Sequence, residues 1–143
     1  MSKIAIVFWS GTGNTGTMAN CIAEGVRTAG GEAEMFGPSD FTAGQLTAFD
    51  TVAFGCPAMG DEVLEESEFE PMFTALESFL GGKNIALFGS YGWGDGQWMR
   101  DWCSRCNDAG ANLLDESGLM INEAPDAEGE EACKELGRKL AAW

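Results

Sequence analysis

The sequence contains no histidine. That removes the commonest metal ligand and the commonest general base near neutral pH. A hydrolase built on a Ser-His-Asp or Cys-His pair is excluded. Basic residues are scarce: 8 Lys and Arg stand against 23 Asp and Glu, for a net charge of −15. A chain of that sign repels nucleic acid and anionic membrane surfaces and favours partners with basic faces. No apolar run approaches the roughly 20 residues needed to cross a bilayer. The opening MSKIAIVFWSG has too short an apolar stretch for a signal peptide, so the expected location is the cytoplasm. Five cysteines, an odd number in 143 residues, do not suggest a disulfide framework. Cys103 and Cys106 form a CxxC, but WMRDWCSRCNDAG reads as helix and no second CxxC accompanies it. The pair is expected to be ordinary helix thiols.

What is present is a chain with 45% hydrophobic residues, enough for one core in one domain spanning residues 1–143. Short apolar runs that read as strands cover Lys3–Trp9, Glu32–Phe36, Asp50–Gly55 and Asn84–Gly89. A fifth lies within Leu113–Ile121, with DESG as an irregularity. Between them, helical spacing predicts helices over Asn14–Ala29, Phe69–Leu80, Gln97–Asp108 and Asp126–Trp143. GPSDFTAGQLTAF is a loop with at most one helical turn. Strands alternating with helices over the whole length predict an α/β protein with a parallel sheet covered on both faces.

Strands one, three and four each run into a glycine-bearing loop: SGTGNT, CPAMGDE and SYGWGDG. In such a sheet ligands bind at the carboxyl ends of strands, where strand order reverses. The first loop spells G-x-G-x-x-G through Gly11, Gly13 and Gly16. That pattern alone is weak evidence for a dinucleotide site, and no acidic residue closes the second strand. It also resembles a P-loop without its lysine, which leaves a triphosphate no counterion. What remains is a nest for a single phosphate. Ser10, Thr12 and Thr15 offer hydroxyls, Asn14 an amide, and the backbone N–H groups of residues 11–15 point into the start of a helix. Neutral dipoles alone can hold such an anion.

Taken together, WSGTGNT, GCPAMGDE and GSYGWGDG resemble the short-chain flavodoxins, the clostridial and rumen-anaerobe type above all, over the whole chain. The resemblance implies a doubly wound five-stranded sheet of order 2-1-3-4-5. It implies non-covalently bound FMN and a low-potential one-electron carrier, a monomer shuttling electrons between redox enzymes rather than an enzyme itself. Carried over by motif, Ser10, Gly11, Thr12, Gly13, Asn14 and Thr15 bind the FMN phosphate. Pro57, Ala58, Met59, Gly60, Asp61 and Glu62 form the second loop, with Met59 and Gly60 along one side of the flavin and Glu62 accepting from its N3–H. Ser90, Tyr91, Gly92, Trp93 and Gly94 form the third, with Trp93 stacking on the other side and the backbone near Gly92 facing N1 and O2. Gly16 stands where the family commonly has an acidic residue. The alternatives are a small FMN-dependent reductase of the quinone-reductase kind, which needs a substrate pocket over the ring, and a response-regulator-like module, which needs an aspartate where Trp9 and Ser10 stand.

The stretch DEVLEESEFE places Asp61, Glu62, Glu65, Glu66, Glu68 and Glu70 beside the expected flavin. Glu65 and Glu66 are expected on the exposed side. Their charge disfavours a reduced, anionic ring and suits docking to basic partners. Trp98 is expected to be structural, as is Trp9, with Trp9 close to the phosphate loop. MGDE resembles the family turn whose backbone carbonyl reorients on reduction, with Gly60 supplying the positive φ.

Overall fold

Strands buried on both faces read as continuous apolar runs, and these runs form the centre of the sheet. A computed structural model describes residues 3–11, 13–60, 62–114 and 117–143. In chain order the elements are β1 (Lys3–Phe8), α1 (Asn14–Thr28), β2 (Glu32–Phe36), a 3-10 turn (Pro38–Asp40), α2 (Ala43–Leu46), β3 (Thr51–Gly55), α3 (Phe69–Leu76) and a second 3-10 turn (Glu77–Phe79). They continue with β4 (Asn84–Tyr91), α4 (Gln97–Asp108), β5 (Asn112–Leu113), β6 (Leu119–Asn122) and α5 (Ala127–Ala142). All strand pairs are parallel, in the order β2-β1-β3-β4-β5, and β6 also pairs with β4. The expected fifth strand is thus two short segments on one edge: Ile85 pairs with Leu113 and Phe88 with Leu119.

Side chains alternate across the sheet. Ala5, Val7, Val52, Phe54, Ile85 and Leu87 meet Phe69, Phe73, Leu76, Trp98 and Trp102 of α3 and α4 on one face. Ile4, Ile6, Ala53, Ala86 and Phe88 meet Met18, Ile22 and Val26 of α1 and Cys133 and Leu140 of α5 on the other. Trp98 is buried and its Nε1–H donates to the Cys56 carbonyl at 3.2 Å. All five cysteines are buried free thiols. Burial pushes Cys56, Cys106 and Cys133 up to about 12 and raises Cys21 and Cys103 as well. The CxxC therefore carries little thiolate, the form that reacts or binds metal.

The helix expected to run to Leu80 is α-helical only to Leu76 and tightens into the 3-10 turn. Arg105 of α4 fastens this end, donating to both Glu70 oxygens at 2.7 and 2.8 Å and to Glu77 at 2.7 Å. The other end of α3 corrects the expectation for Glu65. Glu65 is only 6% exposed. Its carboxylate accepts from the backbone N–H groups of Ser67, Glu68 and Phe69 at 2.8, 2.8 and 2.9 Å, closing donors that the helix leaves unpaired. Burial alone would raise its pKa, but the donations from Phe69, Glu68 and Ser67 outweigh it and hold the carboxyl below its ordinary value. A lowered folded-state pKa adds stability that is complete above the ordinary carboxylate range, near about 4.3, and is lost as pH falls through the folded value. Glu65→Gln is therefore expected to flatten the loss of stability as pH falls below about 5, measured by urea unfolding. An unchanged acid profile would contradict the cap.

Candidate functional site

Strand order reverses between β1 and β3, so the loops after these strands diverge and leave a crevice at the carboxyl edge of the sheet. A cleft of about 310 Å³ lies there. It is lined by Gly11 and Asn14 from the first loop, Pro57, Ala58 and Met59 from the second, Ser90, Tyr91 and Gly92 from the third, and also by Trp9 and Glu123. Eight of the residues expected at the site thus come together from three loops far apart in sequence. Ser10, Gly13, Thr15, Gly60, Glu62, Trp93 and Gly94 occupy the same three loops without lining the cleft. Thr12 and Asp61 lie outside the described residues.

The first loop ends on Gly13, the N-cap of α1, which has no side chain to close the helix start. Ser10 Oγ accepts from the Gly16 N–H at 2.9 Å and keeps its own proton to donate. Among the described residues, nothing in the protein accepts from the N–H groups of Asn14 and Thr15. Two directed donors at the positive end of a 15-residue helix form an anion seat. Thr15 is turned further inward than expected. It is 1% exposed, and its Oγ1 lies 3.2 Å from Ser90 Oγ and accepts from the Ser90 N–H at 3.4 Å. Its hydroxyl ties the first loop to β4.

The second loop extends the pairing of β3 with β4, through Cys56 N–H to Phe88 O and Ala58 N–H to Ser90 O, both at 3.1 Å. Beyond it, Met59 and Val63 exchange N–H···O bonds of 2.9 and 3.0 Å around a three-residue tip. Gly60 sits there at φ 46° with nothing within 4 Å of where a Cβ would stand. Conformation, not space, selects glycine at this tip. Glu62 is in the same left-handed region at φ 58°. Its Oε1 accepts from the N–H groups of Gly96 and Gln97, each at 3.2 Å.

In the third loop Trp93 is 65% exposed. An indole that open is not a core residue; it offers a large flat face. Tyr91, expected in the third loop, is half-buried at the end of β4, its ring 5.7 Å from that of Trp98. Asn122 and Glu123 were not expected at the site. Asn122 Nδ2 donates to the Tyr91 carbonyl at 3.1 Å, and the Glu123 N–H donates to the same carbonyl at 2.7 Å. Their place depends on how β6 registers against β4, which no local pattern signals. Trp9 did carry a signal, as an aromatic directly before the nest. It packs over Gly11, where a Cβ would stand 2.8 Å from its ring.

The acidic stretch divides. Glu65 caps α3, and Glu70 is held by Arg105, whose donation is the main cause of its lowered pKa. Glu66 and Glu68 remain exposed, and Glu62 is half-buried. On the same edge Arg100 pairs with Asp95 at 3.0 Å.

Residues 6–137 match the family described as Flavodoxin. The chain is 48% identical over 136 residues to a flavodoxin of Clostridium beijerinckii, covering 95% of this chain and 97% of that one. It is 46% identical over 138 residues to a flavodoxin of Megasphaera elsdenii, covering 96% and 98%. The solution structure of two-electron reduced Megasphaera elsdenii flavodoxin superimposes with a TM-score of 0.90, over 98% of this chain and 99% of that one.

Proposed function

This chain belongs to the flavodoxin family, and we propose that the cleft at the carboxyl ends of β1, β3 and β4 is where it holds FMN. The chain is an FMN-binding electron carrier, not an enzyme. The reductase alternative is not favoured. When bound, FMN supplies a ring that takes up and releases electrons; the chain binds it and sets its potential. The observation that carries the assignment of the site is the unclaimed pair of N–H donors at Asn14 and Thr15, opening onto a cleft with apolar walls. That chemistry fits a phosphate joined to a flat aromatic group.

Ser10, Gly11, Thr12, Gly13, Asn14 and Thr15 hold the phosphate. Pro57, Ala58, Met59, Gly60, Asp61 and Glu62 border the ring on one side, with Met59 as a polarizable contact and Glu62 as acceptor for N3–H. Ser90, Tyr91, Gly92, Trp93 and Gly94 border it on the other, with Trp93 stacking. The Gly60 carbonyl would accept from N5–H of reduced FMN once its turn reorients. Gly60→Thr is expected to lower the first-step potential by about 43 mV for each kcal/mol by which it strains the reoriented turn more than the described one, where Gly60 already stands at φ 46°. Potentiometry of both steps checks it, and an unmoved first step refutes the role.

The nest brings no lysine or arginine, Glu123 lines the cleft, and Glu62, Glu66 and Glu68 belong to the acidic stretch at and after the second loop. An added electron therefore meets negative potential, which makes the reduced protein a strong reductant. The same edge docks basic faces of redox enzymes, and the protein acts as a single-domain monomer in the cytoplasm. Electron transfer to a basic acceptor protein is expected to slow as salt rises from about 0.01 to 0.15 M, with little change for a neutral acceptor. Equal salt dependence for both would contradict the docking face.

A further inference from the structure

Helix α4 begins without a local cap. Its N-cap residue is Gly96, at φ 92°, and no side chain at that position accepts from the first turn. A helix start left this way has orphan N–H groups. The acceptor comes from a hairpin more than thirty residues earlier in the chain. Glu62 Oε1 accepts from both Gly96 and Gln97, each at 3.2 Å. Glu62 is brought there by its own left-handed backbone, φ 58°. The approach also needs a gap on the other side. A Cβ built on Gly94 would stand 2.5 Å from Glu62 Oε1 and 2.6 Å from its carboxyl carbon, so only glycine leaves room for the carboxylate. Among the described residues, Oε2 has no partner in the protein.

We infer that the first turn of α4, admitted by Gly94, is the positioning device for the flavin-edge carboxylate. It locks Oε1, aims Oε2, and links cofactor binding to the start of the helix. The inference rests on the reading that Glu62 accepts from flavin N3–H. The two N–H groups fix the carboxylate's orientation before FMN arrives, so less ordering remains to be done on binding. The positive end of α4 also offsets part of the Glu62 charge. The repulsion that Glu62 exerts on a reduced ring is then set jointly by the carboxylate and the helix start. Gly96, and Gly94 beyond its place in the third loop, act through Glu62.

Two measurements test this. In the FMN-free protein, hydrogen exchange of the Gly96 and Gln97 amides is expected to quicken roughly tenfold in Glu62→Ala, the loss of about one net hydrogen bond. Amides in the middle of α4 should change little. Unchanged exchange at both amides overturns the inference outright. In the FMN-loaded protein, Gly94→Ala is expected to weaken FMN roughly tenfold, as Glu62→Ala does, and to move the second-step potential. Placed in the Glu62→Ala background, it should add almost nothing to either. Equal losses in both backgrounds would mean that Gly94 acts through its own backbone strain, and the inference fails. If Glu62→Ala quickens the two amides but leaves FMN affinity and potential untouched, the N3–H reading is wrong and the link to the cofactor falls with it. Should Gly94→Ala not fold, exchange and potential in Glu62→Ala still decide the question.

Discussion

Riboflavin is expected to bind roughly a thousandfold more weakly than FMN. The two differ only in the phosphate, and in the proposed site that phosphate would meet the N–H groups of Asn14 and Thr15 and the hydroxyl of Ser10. A hydrogen bond to a charged group contributes about 1.5–3 kcal/mol. Losing two or three of them, less some local relaxation, comes to about 4 kcal/mol, or a factor of about a thousand. The sign of the salt effect is a second mark of the same chemistry. A nest with a lysine forms an ion pair that salt weakens. Here the nest is neutral and the surrounding protein carries a net charge of −15. Salt screens that repulsion, so FMN affinity is expected to rise with ionic strength. Isothermal titration of both flavins at two salt concentrations checks both statements. A preference for FMN of less than tenfold would contradict the nest.

Gly137→Ala is expected to cost about 3 kcal/mol or more, at the upper end of the range for overpacking. Helices α1 and α5 touch backbone to backbone. A Cβ on Gly137 would fall on the Ile22 carbonyl oxygen and within 2.8 Å of the Val26 nitrogen. A Cβ on Gly25 would fall on the Lys134 carbonyl oxygen. These are backbone atoms, which cannot swing aside as a side chain can. Relief requires the helices to separate, and that opens the core formed by Ile22, Val26, Cys133 and Leu140. Because the gain in helix propensity from Gly to Ala is only about 1 kcal/mol, the packing cost dominates. Urea unfolding measures it; a neutral or stabilising result would show that the helices are further apart than described. Gly44, in the short helix α2, has only the Thr42 hydroxyl oxygen at 3.7 Å and serves as the control.

The central strands were legible because burial on both faces leaves no room for polar residues in IAIV or IALFG. The glycine loops that follow them were legible for the same reason, as abrupt ends to apolar runs. What could not be read depends on contacts between distant segments. Glu65 looks in sequence like one more member of an acidic run; only the path of the chain into α3 turns its carboxylate onto three backbone donors. Gly25 and Gly137 look like weak points in two helices until the crossing of those helices is known. The division of the fifth strand follows from where β4 finds partners, and DESG carried only the hint of an irregularity. Asn122 and Glu123 reach the site through the register of β6. Of the resemblance-based site, the second and third loops proved the most complex: Glu62 turned out to accept from the first turn of a helix.

The central claim is that this chain is a low-potential one-electron carrier whose cleft sets the flavin's potential. Spectroelectrochemical titration of the FMN-loaded protein tests it most directly. The account predicts two resolved one-electron steps, the second well below the potential of free FMN because Glu123 lines the cleft, the acidic stretch with Glu62, Glu66 and Glu68 runs on from its second loop, and no basic residue stands in the nest. A single two-electron step at the potential of free FMN would contradict it.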